Sequence, residues 1–462
     1  MDSVHADRAA PRPVTNGSSG PYPQPGIDIM FLPVQKRSAV SAASAASAAS
    51  AAMMTPTSAS RRPRRAPLVL ILGSLTALGP LTIDLYLPAL PQVSGDLHVS
   101  AAVTQLTLTT FMIGIALGQL VIGPLSDTLG RRRPLLIGLS AYVVAGALCA
   151  LAPTATVLIG MRLVQGLAGA AGIVIARAVV RDLYDGLGAA RLLSSLMLVS
   201  GTAPILAPVL GAQLLRLTSW RGVFVALTVL GLVVLAATAT LLTETLPAHR
   251  RRRGGLSDTL RTMRDLVADS RFTGYLLTGS LGFAALFAYI AGSSFTLQEV
   301  YGASPQTYSL LFALNSIGLV VTGQLNGKVL LGRFPSQRIL ATGLAVLGAA
   351  GIALVLLTTS THAGLPWIAL ALFLTACPVG LILPTTTALS LQRAPHAAGS
   401  ASALLGTTQF LMAAVAPALT GLGGRGTALP MALSVLALAL TATLIFLVIC
   451  RPWRPTPDPL AR

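Results

Sequence analysis

Long apolar stretches recur along this chain and set the strictest limit on its fold. Each of the twelve stretches has about 20 residues, enough to cross a hydrocarbon layer of ~30 Å as an α-helix. A helix satisfies its own backbone hydrogen bonds, as lipid requires. The sequence therefore predicts an all-α polytopic membrane protein with twelve transmembrane helices, at residues 68–90, 102–124, 134–153, 157–180, 194–215, 221–242, 275–297, 307–330, 338–359, 365–390, 399–421 and 428–450.

Charged residues are scarce and lie mainly between the apolar stretches. They make up 10% of the 462 residues and give a formal net charge of +18. A strongly basic chain can bind nucleic acid, but these arginines are spread over short connections instead of forming one soluble face. Basic connections favour the cytoplasmic side of a membrane. Their alternation therefore predicts that both termini are cytoplasmic.

The twelve spans form two sets of six that repeat at an offset of about 205 residues. Because six spans separate the copies, both have the same orientation, as in transporters built from two parallel six-helix bundles around a central cavity. The predicted domains are a disordered cytoplasmic tail at 1–66, an N-terminal six-helix bundle at 67–242, a basic cytoplasmic linker at 243–274, a C-terminal six-helix bundle at 275–450 and a cytoplasmic tail at 451–462.

Two parts outside the bundles have distinctive composition. The first tail contains the low-complexity run SAASAASAASAA at 41–52, which has no side chains with which to build a core. Met53 and Met54 are possible alternative starts. The end of the linker is predicted either as an amphipathic helix on the membrane surface or as a solvated charged segment.

Asp84 is the one carboxylate among the fourteen acidic residues that lies well inside an apolar stretch. A charge at that depth is costly unless a proton or a partner neutralises it. At 1.5 Å per residue, Asp84 and Arg162 lie about 9 Å and about 7–8 Å from the same outer edge. Two hypotheses follow: a proton-coupling site in which Arg162 controls the proton affinity of Asp84, or a static buried ion pair.

Two further motifs point to conformational change. The connection after the second span, GQLVIGPLSDTLGRRRPLLIG at 118–138, combines glycines, a carboxylate and an arginine cluster. The arginines alone would serve as a membrane anchor, but the whole pattern predicts a conformational switch formed by Gly123, Asp127, Gly130, Arg131 and Arg132. Asp127 is expected to bind the positive N-terminus of span 11 near Gly399. In span 5, Pro204, Pro208 and Gly211 predict bending or close packing of the helix.

The loop pattern resembles the signature G-x-x-x-D-x-x-G-R-R of the major facilitator superfamily. TIDLYLPALP at 82–91, RLVQGLAGA at 162–170 and APILAPVLG at 203–211 are similar to drug:proton antiporters of the Bcr/CflA type. Span 5 departs from the superfamily's usual antiporter motif, since alanine replaces some of its glycines. The resemblance covers nearly all of 68–450 and implies proton-driven efflux of compounds such as bicyclomycin and chloramphenicol by alternating access. It also implies a monomer in the bacterial plasma membrane, with a proton gradient as energy source and no cofactor.

The substrate cavity is predicted from polar and aromatic residues inside the spans, each of which has ordinary helix packing as its alternative. Mostly apolar walls favour lipophilic or amphipathic drugs. A proton-coupled uptake symporter for a small metabolite is the nearest alternative function. An enzyme or a sensor is disfavoured because no nucleophile, metal site or soluble domain is visible. The candidate cavity residues are Tyr86, Phe111, Tyr289, Phe312, Asn315 and Gln409.

Overall fold

The computed structural model describes residues 65–184, 186–251, 256–360, 363–421 and 426–451. These residues are almost entirely helical, and the one β pairing among them is an isolated bridge between Leu331 and Phe334. The predicted tails lie outside the described residues except for 65–66 and Arg451.

The N-terminal half begins with α1 (Arg65–Asp84) and the short α2 (Leu90–Asp96), which together occupy the first predicted span. The other five spans of this half follow in order. They are α3 (Ala101–Leu129), α4 (Arg132–Ala150), α5 (Ala155–Leu183), α6 (Gly186–Leu217) and α7 (Trp220–Leu241).

The C-terminal half is preceded by a linker helix, α8 (Leu256–Ala268), and begins with α9 (Ser270–Phe295). Three of its helices continue into a π-helical turn, at Thr296–Val300, Asn326–Leu330 and Phe446–Cys450. The remaining helices are α10 (Pro305–Leu325), α11 (Ser336–Thr359), α12 (Leu365–Ala376), α13 (Val379–Gln392), α14 (Ala398–Gly421) and α15 (Leu429–Ile445).

Eleven helical segments among the described residues are long and apolar enough to cross a membrane. Helix α6 occupies the position of the predicted fifth span. The prediction of an all-α polytopic membrane protein is confirmed.

The first and tenth predicted spans are not single helices. Helix α1 ends at Asp84, and a 3-10 turn at Leu87–Ala89 leads into α2. Proline lacks an N–H and disfavours α-helical backbone at the residue before it, which explains a break around Pro88. Pro378 lies between α12 and α13, where its missing N–H removes one helical hydrogen-bond donor. Each remains one segment long and apolar enough to cross a membrane, with a local break that the sequence did not predict.

The two halves meet along two helix pairs, α3 with α14 and α6 with α10. Pro208 has no N–H, so the carbonyl of Pro204 one turn earlier lacks its usual helical donor. The hydroxyl of Ser316 on α10 donates to that carbonyl at 3.3 Å. A proline of the predicted span-5 motif thus frees a backbone acceptor that a side chain of the other half uses.

We call the end of the bundle that carries Arg131, Arg132 and Arg393 the basic end, and the other end the opposite end. At the opposite end, Gln105 of α3 joins two helices of the C-terminal half. Its amide nitrogen donates to the carbonyl of Ala291 at 3.3 Å, and its amide oxygen accepts from the Thr420 hydroxyl at 3.0 Å. Nearby, the Ser294 hydroxyl donates to the carbonyl of Leu87 at 2.7 Å.

Gln105→Ala should increase the opening of the opposite end, because it removes two hydrogen bonds that exist only while the halves meet there. At about 1 kcal/mol for each bond, the population of molecules open at that end should rise by roughly tenfold or more. Electron spin-spin distances between labels at Gly95 and Gly426, both exposed and in open space, measure this directly.

Gln92→Ala is the matched control, since Gln92 accepts from the Trp220 backbone N–H within the N-terminal half at 3.0 Å. It should leave the distance distribution unchanged. Equal distributions for Gln105→Ala and the unmodified chain would contradict a role of Gln105 in closure.

Candidate functional site

Asp84 lies where α1 ends, only 4% exposed. Its carboxylate forms no ion pair with any described residue. The nearby ionisable groups are the hydroxyls of Tyr289 on α9 and Tyr308 on α10, both within electrostatic range. Asp84 therefore belongs to the N-terminal half but lies near aromatic side chains of the C-terminal half.

Arg162 on α5 is completely buried. Its guanidinium carbon lies 4.1 Å from the ring centroid of Phe111, 5.2 Å from that of Tyr86 and 5.7 Å from that of Phe224. Cation–π attraction to these rings offsets part of the cost of burying the charge.

The Arg162 guanidinium makes one side-chain hydrogen bond, from Nη1 to Oε1 of Gln165 at 2.8 Å. Nε and Nη2 have no partner among the described residues. Two buried donors are thus available for an acceptor group that enters the site.

Asp84 and Arg162 do not form the static ion pair that sequence depth allows. Equal depth places two residues at one level but does not fix the direction in which each side chain leaves its helix. Here the guanidinium is enclosed by aromatic rings of its own half and is not paired with the carboxylate. The static-pair hypothesis was wrong for this conformation.

Gly211 on α6 brings the span-5 motif against the backbone that follows Asp84. A side-chain carbon at Gly211 would overlap the carbonyl oxygen of Leu85. Pro208 is buried on the same helix. A movement of α6 would therefore reach the break in α1 at which Asp84 lies.

The six predicted cavity residues separate into two clusters and one outlier. Tyr86 and Phe111 surround Arg162. Tyr289 stacks on Phe312 at 5.7 Å between ring centroids and accepts a hydrogen bond from Asn315 Nδ2 at 2.8 Å.

Both clusters are buried, whereas Gln409 on α14 is half-buried and belongs to neither. Its neighbour Phe410 packs instead on Phe283 of α9, at 5.5 Å between ring centroids. The structure therefore brings five of the six predicted cavity residues into two clusters and leaves Gln409 apart.

At the basic end, Arg131 lies between two carboxylates. Its Nη1 donates to Asp127 at 2.6 Å, and its Nε donates to Asp182 at 2.8 Å. Arg131 also donates to the hydroxyl of Ser126 at 2.8 Å. The predicted switch residues Asp127 and Arg131 thus connect α3 to the end of α5 through Asp182, which the sequence did not indicate.

Glu244, directly after α7, binds the start of α4. Its carboxylate accepts from the backbone N–H groups of Arg131 at 2.8 Å and Arg132 at 3.2 Å. A carboxylate there satisfies free donors and complements the positive end of the helix dipole. Gly130 makes the close approach possible, since its φ is +93° and a side chain at this position would collide with Glu244.

Arg132 forms a second contact between the start of α4 and the end of α7. Its guanidinium donates to the carbonyls of Leu242 at 3.0 Å and Ala239 at 2.8 Å, which lie at the C-terminal end of α7. A cation at a helix C-terminus is favourable. The double arginine of the motif therefore has two distinct tasks, ion pairing by Arg131 and helix capping by Arg132.

The predicted contact between Asp127 and the start of α14 is not among the hydrogen bonds or ion pairs of the described residues. The structure places Arg181 near that helix start, with Nη1 3.7 Å from where a side-chain carbon of Gly399 would lie. Gly123, the first residue of the switch motif, lies on α3 in contact range of Val174.

Glu244→Gln should lower the midpoint of thermal unfolding at pH 7, by an amount corresponding to about 1 kcal/mol. Partial burial disfavours the ionised form, but the backbone N–H groups of Leu246, Arg131 and Arg132 and the charge of Arg251 outweigh it and lower the pKa of Glu244. A lowered folded-state pKa stabilises the fold above the unfolded value of about 4.3, and this contribution is lost as the pH falls through the folded value. The difference between the two proteins should therefore shrink below about pH 4.

Thermal unfolding across a pH series in detergent measures this difference. Asp265→Asn is the control, because Asp265 forms an exposed pair with Arg264 at 3.8 Å and should shift the midpoint little. A Glu244→Gln protein as stable as the unmodified chain at pH 7 would contradict the capping role.

Comparison with known proteins adds an independent observation. The profile of the Major Facilitator Superfamily matches residues 72–417. An uncharacterized MFS-type transporter of Bacillus subtilis, YdgK, is 35% identical over 387 residues, covering 83% of this chain and 95% of that protein. A bicyclomycin resistance protein homolog of Haemophilus influenzae is 30% identical and covers 82% and 94%, and the multidrug resistance protein MdtL of Escherichia fergusonii is 28% identical and covers 83% and 95%.

Solved structures show the same fold at low sequence identity. A bacterial homolog of the human lysosomal transporter Spinster, in an inward-facing and unoccupied conformation, superposes with a TM-score of 0.68 at 17% identity and covers 85% of this chain and 99% of that one. A D-xylose-proton symporter superposes with a TM-score of 0.65 at 14% identity and covers 83% and 97%.

Proposed function

Because the chain belongs to the major facilitator superfamily, we propose that it exports small lipophilic or amphipathic drugs in exchange for protons by alternating access. The observation that carries this proposal is Asp84, which is buried at the break in α1 and has no ion-pair partner among the described residues. The protein would act as a monomer in a bacterial plasma membrane with both termini in the cytoplasm. The proton gradient would supply the energy without a cofactor.

Asp84 is the proposed proton carrier. A carboxylate enclosed in apolar surroundings without a counter-charge favours its neutral, protonated form. Contact with water or with a cation after a conformational change favours release of the proton. At Gly211, α6 packs closely against the backbone that follows Asp84. The same helix contacts α10 of the other half. Movement of the halves would therefore change the surroundings of Asp84.

Arg162 is the proposed regulator of that proton. Its two unpartnered donors are available to an anion in another conformation. If the halves separate at the opposite end and the Asp84 carboxylate turns toward Arg162, the cation would stabilise the ionised form and promote proton release.

Small drugs are the proposed substrates because two relatives are named for resistance to bicyclomycin and to multiple drugs. The cluster around Tyr289, which lies near Asp84, agrees with this class, since Tyr289 and Phe312 form a stacked aromatic surface and Asn315 adds a single amide. Apolar walls with few polar groups suit lipophilic ligands.

The proposed switch is the group of residues around Arg131 at the basic end, which includes its ion-pair partners Asp127 and Asp182. In this conformation Asp127 is paired with Arg131. When the halves close at the basic end, Asp127 would approach the positive N-terminus of α14 and stabilise that state. Alternate partners for one carboxylate would give the transporter two states of similar free energy.

Asp127→Asn should slow drug transport roughly fivefold, as expected for the loss of about 1 kcal/mol from one state, while drug binding changes little. Equilibrium binding to the purified protein and transport by vesicles containing it separate the two effects. Asp265→Asn, an exposed acid on α8, is the control and should affect neither. An equal loss of binding and transport in Asp127→Asn would contradict the switch role.

Asp84→Asn should abolish efflux driven by the proton gradient, because an amide cannot take up and release the proton. Drug or dye accumulation in cells that produce the protein tests this, with and without a protonophore. Cells with the unmodified chain should accumulate less than cells without it, and the protonophore should remove this difference. Cells with Asp84→Asn should accumulate as much as cells without the protein.

Membrane content of the variant must match that of the unmodified chain, and Asp265→Asn should export normally. Full efflux of an uncharged drug by Asp84→Asn would refute Asp84 as the proton carrier. Greater accumulation in cells that produce the unmodified chain would instead favour uptake by a proton-coupled symporter.

A further inference from the structure

A cavity of about 400 Å³ lies at the basic end, between the start of α9 and the end of α15. It is separate from Asp84 and from Arg131 with its ion-pair partners Asp127 and Asp182, which we call the Arg131 cluster. Its volume falls within the roughly 300–1,000 Å³ typical of small-ligand sites. The residues that line it are Ser270, Arg271, Val448, Ile449 and Arg451.

The two arginines give the cavity uncompensated positive charge. Neither Arg271 nor Arg451 forms an ion pair with a described carboxylate. Arg451 is held over the end of α15 by a hydrogen bond from its Nε to the carbonyl of Val448 at 3.2 Å.

The acid next to the cavity in sequence, Asp269, is occupied by other partners. One oxygen accepts from Nε of Arg393 at 2.6 Å, and the other accepts from the backbone N–H of Arg271 at 3.0 Å. Both guanidinium groups of the cavity are therefore available to an anion.

The apolar wall of the cavity continues along the membrane-facing side of α15. Val448 is 55% exposed, and Leu447, Leu444 and Leu440 extend the exposed surface toward the middle of the helix. Exposed apolar side chains on a spanning helix face the hydrocarbon of the bilayer. The cavity thus joins a cationic group of residues to a surface that an acyl chain can cover.

Helix α8, which directly precedes the cavity, has an exposed face suited to the membrane surface. Leu260 and Val267 expose apolar side chains on the same face as Arg264, whose side chain is 81% exposed, whereas Met263 on this helix is buried. An arginine flanked by exposed apolar side chains suits the interface between water and lipid, because its stem covers apolar surface while its charged head stays in water. Since α8 ends at Ala268, just before Ser270, the cavity opens at headgroup level.

We propose that this cavity binds an anionic phospholipid, with its phosphodiester between Arg271 and Arg451 and an acyl chain along Leu444 and Val448. Basic pockets between spanning helices are suited to anionic headgroups. A zwitterionic lipid would bring its own cation toward the two arginines and bind less well. A free phosphate ester would gain nothing from the apolar wall.

Native mass spectrometry of the full chain in detergent, with added dioleoylphosphatidylglycerol or dioleoylphosphatidylcholine, tests the proposal. The unmodified chain should retain phosphatidylglycerol in preference to phosphatidylcholine. The double variant Arg271→Gln/Arg451→Gln should retain on the order of twentyfold less phosphatidylglycerol, roughly fivefold for each arginine. Arg333→Gln, an exposed arginine in the connection before α11, is the matched control and should bind normally.

The variant Arg271→Lys/Arg451→Lys keeps both charges and should retain most of the phosphatidylglycerol, which separates loss of the site from general damage to the fold. Equal retention by the glutamine variant and the unmodified chain would overturn the proposal. So would equal retention of the two lipids. Displacement of phosphatidylglycerol by an equal concentration of glycerol phosphate would also overturn it, because the site would then recognise a soluble phosphate ester without the acyl chain.

Discussion

A charge buried in hydrocarbon must be neutralised or paired, and this constraint decides where most ionised side chains of the chain lie. The carboxylates and guanidinium groups that form ion pairs in the described residues are all at the basic end, where Arg131 joins Asp127 to Asp182 and Arg393 joins Asp269. Asp84 and Arg162 depart from this distribution, since both are buried in the spans and neither forms an ion pair with another residue that the structure describes. The backbone hydrogen bonds of the remaining spans are satisfied within their helices. The free energy of the two buried groups is therefore what the binding of a proton or a ligand can change.

The two halves are related by duplication but differ in chemistry. Asp84, Arg162 and the Arg131 cluster all lie in the N-terminal half, whereas the C-terminal half contributes the stacked rings of Tyr289 and Phe312 and the amide of Asn315. Gly332 stands where the repeat would place a counterpart of Asp127. This division suits a transporter in which one half handles the proton and the other supplies aromatic surface for the substrate. Contacts such as Ser316 with the carbonyl of Pro204 connect the two.

The sequence predicted the architecture well, because the length and composition of a span follow directly from the thickness and polarity of the bilayer. It also predicted that the residues of the basic loop would matter, but it missed Glu244 and Asp182, whose partners are distant in sequence. An acid immediately after span 6, opposite an arginine pair, was a usable signal for Glu244. Depth placed Asp84 level with Arg162, but the direction of each side chain could not be predicted, and the two form no ion pair in this conformation. Gln105 gave no signal at all, because its role depends on how α3 meets α9 and α14.

Proton release on substrate addition tests the central claim, that Asp84 carries the proton, most directly. The purified chain in weakly buffered detergent solution, with a pH-sensitive dye, reports whether a bound drug displaces a proton from the protein. The account predicts that the unmodified chain acidifies the solution when drug is added and that Asp84→Asn, although it still binds the drug, does not. Equal acidification by the two proteins would contradict the account, because the displaced proton would then come from a group other than Asp84.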